Sequence, residues 1–200
     1  MNDLTQLDTF LKGLAHFKET APVTGKPLLK FIKTGQWLLG VNNEPVDEAL
    51  VAVNPLSIRI GYVAWDNGQV VAESPLIPFT QGWPAVDRSV VMDKGTIAQK
   101  YLFEGKLIEN DPAIECVYSA ATDGGAKAVV ALIDEIYKQA AQGSKHLVPV
   151  MELSADSYKH PQYGITYKPV FKIDHWCNME GARESLTPKL AEKAVKRNLV

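Results

Sequence analysis

A mainly β, α+β fold is predicted by three features of this 200-residue chain. Short apolar runs recur between turn residues. The clearest helical periodicity falls once, late in the chain. Helices do not alternate with strands as a doubly wound sheet requires. Hydrophobic residues make up 46% of the chain, enough to bury one substantial core. The length suits one domain with appendages: residues 1–24 as a helix and linker, 25–177 as the β domain, and 178–200 as a basic tail.

In chain order, Leu4, Leu7, Phe10, Leu11, Leu14 and Phe17 have helical spacing, with Asp3 as an early cap. Pro22, Gly25 and Pro27 break that pattern. Leu28–Lys33 and Gln36–Gly40 then read as two strands about Thr34-Gly35. A polar loop with Pro45 leads to a strand at Leu50–Val53. Ile58–Trp65 alternates between two faces, and Asp66-Asn67-Gly68 turns it into Gln69–Glu73. Pro75, Pro78, Gly82 and Pro84 mark an extended loop carrying Phe79 and Trp83, too rich in proline for a central strand. Lys100–Ile108 and Ile114–Ala120 are further strands. Thr122 or Asp123 caps a helix with apolar residues at Val129, Val130, Leu132, Ile133, Ile136 and Tyr137, ending near Gly143. His146–Leu153 and Ile165–Trp176 close the set as strands, and Thr187-Pro188 opens a basic helical tail at Lys189–Arg197. The most economical assembly of these pieces is a small antiparallel barrel of the oligonucleotide-binding kind, with an inserted helix and short terminal helices.

Composition excludes several classes. No apolar run reaches the roughly 18 residues of a membrane span, and the amino end lacks the basic start and apolar stretch of a signal peptide, so a soluble cytoplasmic protein with no membrane partner is expected. Cys116 and Cys177 are far apart and read as free thiols. The net charge of −2 argues against coating nucleic acid by bulk positive charge, although Lys159, Lys168 and Lys172 fall in a segment, Tyr158–Lys172, without a carboxylate.

No catalytic constellation is present: there is no Gly-x-Ser-x-Gly elbow, His-Glu-x-x-His or phosphate loop, and no enzyme activity or cofactor is expected. His160, His175 and Cys177 lack the local pairing of metal ligands, so no metal is expected either. Asp123-Gly124-Gly125 with Lys127 could cradle an anion at a helix start, but a plain capped helix explains it better. The stronger signal is aromatic rings interleaved with cations. Trp37 lies near Lys30 and Lys33, Arg59 near Trp65, and Trp83 in its loop. Tyr158, Lys159, His160, Tyr163, Lys168 and Lys172 crowd one strand-turn-strand pattern. Stacked bases contribute about 1–3 kcal/mol each, so a few rings and cations bind single strands without reading sequence. The expected groove has the Tyr158–Lys172 hairpin on one edge and the Ile58–Glu73 hairpin on the other.

Several segments resemble a tailed-phage protein family encoded with replication and recombination genes: Val150-Met-Glu-Leu, Ser157-Tyr-Lys-His, Tyr163-Gly164 and Pro169-Val-Phe, preceded by Ser119–Leu132, and also Val53-Asn-Pro-Leu-Ser and Gly61-Tyr-Val-Ala-Trp. The resemblance spans about Leu28–Trp176. It implies a single-stranded-DNA-binding protein of the oligonucleotide-binding-barrel kind, acting in phage DNA replication or recombination in the host cytoplasm, with replication or recombination proteins as further partners and room for a homo-oligomer. The basic end Lys193–Val200 departs from the acidic tail by which such proteins recruit partners. Two alternatives stand beside it: a module that binds a host or recombination protein through the Ser74–Pro84 loop, and a nucleotide-binding or nucleotide-processing protein using Asp123–Lys127.

Overall fold

The computed structural model describes residues 25–67, 69–84, 96–110, 112–161 and 164–178. The helices expected at Leu4–Phe17 and Lys189–Arg197, and Tyr163, lie outside them. The described residues are mainly β, with one α-helix among them.

The first hairpin joins β1 (Leu28–Phe31) to β2 (Trp37–Leu39), with Phe31 opposite Trp37. Its turn closes through a 2.9 Å bond from Gly35 N–H to Ile32 O, and Gly35 takes a φ of +85° that a side chain would resist. A two-residue strand absent from the sequence reading, β3 (Glu44–Pro45), pairs with β2. The chain then enters β4 (Leu50–Val53), a short 3₁₀ turn at Pro55–Ser57, and β5 (Arg59–Asp66).

β4 and β5 are two halves of one interrupted strand. Both lie antiparallel along the same edge of β8 (Thr96–Leu107), Val51–Val53 facing Leu107–Gly105 and Arg59–Trp65 facing Leu102–Thr96. Ser57 repairs the ladder at the break, because its hydroxyl accepts from Glu104 N–H at 2.8 Å and donates to Asn54 O at 2.6 Å. Ser57→Ala is expected to cost about 1–3 kcal/mol, the penalty of an orphaned N–H, as read by urea unfolding. A cost below a few tenths would mean that water replaces the hydroxyl.

β6 (Gln69–Glu73) and the short β7 (Ile77–Pro78) pair with the other edge of β5. On the far side of β8 lies β9 (Ile114–Ala120), and β1 runs parallel to β9, a departure from the all-antiparallel expectation. Helix α1 (Asp123–Ala141) follows at once, with Thr122 Oγ1 accepting from Gly125 N–H at 3.2 Å. Gly125 permits this tight exit, since a Cβ there would stand 2.7 Å from Ala120 Cβ. The final hairpin, β10 (Val148–His160) and β11 (Gly164–Cys177), is longer than expected; β10 runs seven residues past Leu153. A bulge at Asp174 shifts its register.

The strand path β11-β10-β4-β8-β9-β1-β2-β3 ends without its two edges pairing, so the sheet is open where a closed barrel was expected. The segment after β3 nonetheless bridges the two sides: Val46 N–H bonds Trp37 O, Glu48 N–H bonds Leu153 O, and Leu153 N–H bonds Ala49 O. One face of the sheet holds the main core, with Trp37, Phe103, Tyr118 and Leu153 at its centre and Val129, Leu132 and Ile136 of α1 covering it. A smaller cluster of Ala52, Ile108, Val148, Val150 and Cys177 occupies the opposite face of β4 and β10.

Cys116 is buried in the main core, and burial pushes its thiol up to about 12. At pH 8 it is therefore a thiol, poor in the thiolate that alkylating agents attack. Iodoacetamide should leave Cys116 unmodified in the native protein and modify it in urea. Rapid native labelling would contradict the packing.

Candidate nucleic-acid interface

The residues expected to form one groove are distributed over the molecule. Register fixes the two hairpins: β5 continues in the direction of β4, whereas β10 runs antiparallel to β4, with Glu152 opposite Leu50. The β5–β6 hairpin and the tip of β10–β11 therefore extend from opposite ends of the sheet. They are not two edges of one groove.

Trp37 is a core residue, 1% exposed, and not part of a stacking platform. Its ring meets Phe31, Tyr118 and Phe171 at centroid distances of 5.0, 5.5 and 5.7 Å. Its indole N–H donates to Ser154 O at 2.9 Å, tying β2 to the base of the last hairpin. Lys30 fastens the first hairpin, donating to Gly40 O at 2.8 Å and Asn43 Oδ1 at 2.9 Å. Arg59 is exposed and Trp65 half-buried on one face of β5, about 20 Å apart at strand spacing. Trp83, 40% exposed, packs beside Tyr62 on the opposite face.

The last hairpin carries most of what remains. Beyond Ser154 and Pro169, β10 and β11 pair only with each other and form a largely exposed arm. Tyr158 and His160 alternate onto one of its faces, rings 6.4 Å apart, with Asp156 and Lys168 behind them. Ser157, Lys159, Ile165 and Tyr167 lie on the other, the continuation of the core face. Tyr167 leans on the first hairpin: a Cβ placed on Gly35 would lie 2.6 Å from its ring. Lys33 stands exposed in that same turn.

Most of the expected basic patch is neutralised by cross-strand partners. Lys168 faces Asp156 at 3.0 Å and Lys172 faces Glu152 at 3.6 Å, both pairs directly opposite in the register. The Asp156 carboxyl is held below its ordinary value first by Lys168 and then by the Ser157 N–H. Lys127 is paired with Asp123 at 2.7 Å, which raises its pKa. Lys33, Arg59 and Lys159 make no ion pair with the described residues. Asp156 was missed because the expected strand stopped at Leu153; Glu152 lay inside that strand, but its pairing with Lys172 needed the register. Continuing the alternation from Ala155 to His160 would have placed Asp156.

His160 is at the arm tip, whereas His175 and Cys177 lie at the other end of β11, and among the described residues no group of three or more His, Cys, Asp or Glu is arranged to hold a metal ion. A shallow cleft of about 410 Å³ lies between α1 and β11, floored by Leu132, Phe171 and Ile173 and edged by Lys127, Glu135 and Lys168. No helix among the described residues is long and apolar enough to cross a membrane. No family model, curated protein or solved structure matches the chain.

Proposed function

We propose that this chain is a sequence-tolerant single-stranded-DNA-binding protein serving phage DNA replication or recombination, and that its contact surface is the β10–β11 arm together with the β1–β2 turn. One observation carries the reading: the exposed Tyr167 rests on the turn that carries Lys33 and shares a face of the arm with Lys159, and neither lysine is ion-paired with a described residue. A ring offers a base its π face, and two cations without carboxylate partners are available to neighbouring phosphates. Tyr158 and His160 give the opposite face of the arm a second stacking surface. The paired lysines contribute less, because binding a phosphate there must first displace a carboxylate. We read the open sheet as an oligonucleotide-binding-like barrel whose seam is the Val46–Ala49 bridge rather than a full ladder.

Fluorescence anisotropy of a labelled oligothymidine at increasing salt tests this. Two phosphate contacts predict a slope of log K against log salt of about −1.4. Absence of binding at low salt, or a slope near zero, would overturn the reading.

A further inference from the structure

At the end of the sheet away from the arm, Trp83 packs on Tyr62 with centroids 5.0 Å apart and ring planes tilted by 37°, and meets Tyr101 edge-on at 5.5 Å. Tyr62 and Gln99 are direct cross-strand partners, and Ala64 and Ile97 are the next pair but one, so Trp83, Tyr62, Gln99 and the 39% exposed Ile97 make one continuous patch. Its hydrogen bonding is one-sided. Gln99 Oε1 already accepts from the Tyr101 hydroxyl at 3.0 Å, which leaves the amide –NH₂ as a donor. The Trp83 indole N–H and the Tyr62 hydroxyl have no hydrogen-bond partner among the described residues.

Charge decides between ligands. Arg59 projects from the opposite face of β5, and Lys100, on the opposite face of β8, is bound to Glu73 at 2.6 Å. Rings and donors with no cation beside them among the described residues suit a phosphate backbone poorly. They suit a polyproline II helix, whose pyrrolidine rings pack on aromatics and whose carbonyls, free of internal hydrogen bonds, accept from side-chain donors. We propose that the Trp83–Tyr62–Gln99 patch docks a proline-rich segment of a partner protein. This site is independent of the nucleic-acid reading.

Titration of the full chain with acetylated, amidated decaproline tests it, followed by tryptophan fluorescence and by calorimetry. Saturable binding is expected. Trp83→Ala should abolish it, and Tyr62→Phe should weaken it by roughly 3- to 10-fold, the worth of one hydrogen bond, with the thermal melt unchanged. No saturable binding to the wild type, undiminished binding to either variant, or displacement of decaproline by oligothymidine would overturn the proposal; the last result would make the patch a nucleic-acid surface. Because Tyr62→Phe removes a single hydroxyl, it keeps the test decisive should Trp83→Ala unfold.

Discussion

Trp37→Ala is expected to destabilise the protein by about 3–5 kcal/mol, the range for truncating a large buried aromatic. Two losses add. The cavity would open between Phe31, Tyr118 and Phe171, whose rings all pack on the indole. Ser154 O would also lose its 2.9 Å donor at the base of the arm. Trp37→Phe separates these losses, retaining much of the ring volume while deleting the N–H, and should cost clearly less than the alanine. Urea denaturation followed by far-ultraviolet circular dichroism measures both. If the alanine variant loses less than about 1 kcal/mol, Trp37 is not the centre of the core.

The combined variant Lys33→Ala, Lys159→Ala, Tyr167→Ala is expected to weaken oligothymidine binding by one to two orders of magnitude. The ring alone contributes about 1–3 kcal/mol as a stacking surface. Loss of both cations should flatten the salt slope from about −1.4 towards zero. Lys30→Ala is the matched control: that ammonium is held by Gly40 O and Asn43 Oδ1 within its own hairpin, so the slope should not change. Lys33 and Lys159 are exposed, so the melting temperatures of the single variants Lys33→Ala and Lys159→Ala should match the wild type. An unaltered affinity in the combined variant would remove the arm from the interface.

Local signals in the sequence were strong where turn chemistry and periodicity agreed. Asp66-Asn67-Gly68 with alternating flanks marked the β5–β6 hairpin, and Thr122 with the apolar spacing after it marked the helix, although Val130 and Tyr137 of that apolar set are exposed. Pairing between distant segments was not legible. The parallel contact of β1 with β9 joins residues almost ninety positions apart, and nothing local announces it. The continuity of β4 and β5 was hidden by Asn54-Pro55, which reads as a loop but is a break bridged by the Ser57 hydroxyl.

The candidate site shows the same division. Rings and lysines of the last hairpin were visible as a cluster, but their ionic partners depended on register, which sets Asp156 opposite Lys168 and Glu152 opposite Lys172. Trp37 misled for a related reason. Its neighbours Lys30 and Lys33 are close in sequence, yet alternation along β2 sends the indole inward, with Leu39, to the rings of β9 and β11. Trp65 and Trp83 were grouped by composition, whereas β5 carries Trp65 on one face and Tyr62, on which Trp83 packs, on the other.

The most direct test of the arm as the nucleic-acid contact is photocrosslinking of the full chain to an oligothymidine carrying 5-iodouracil at low salt, with the attachment sites mapped by mass spectrometry. The account predicts crosslinks at Tyr167 and Tyr158 that disappear as salt rises. Crosslinks confined to Trp65 or Trp83, or none at a saturating oligonucleotide concentration, would contradict it.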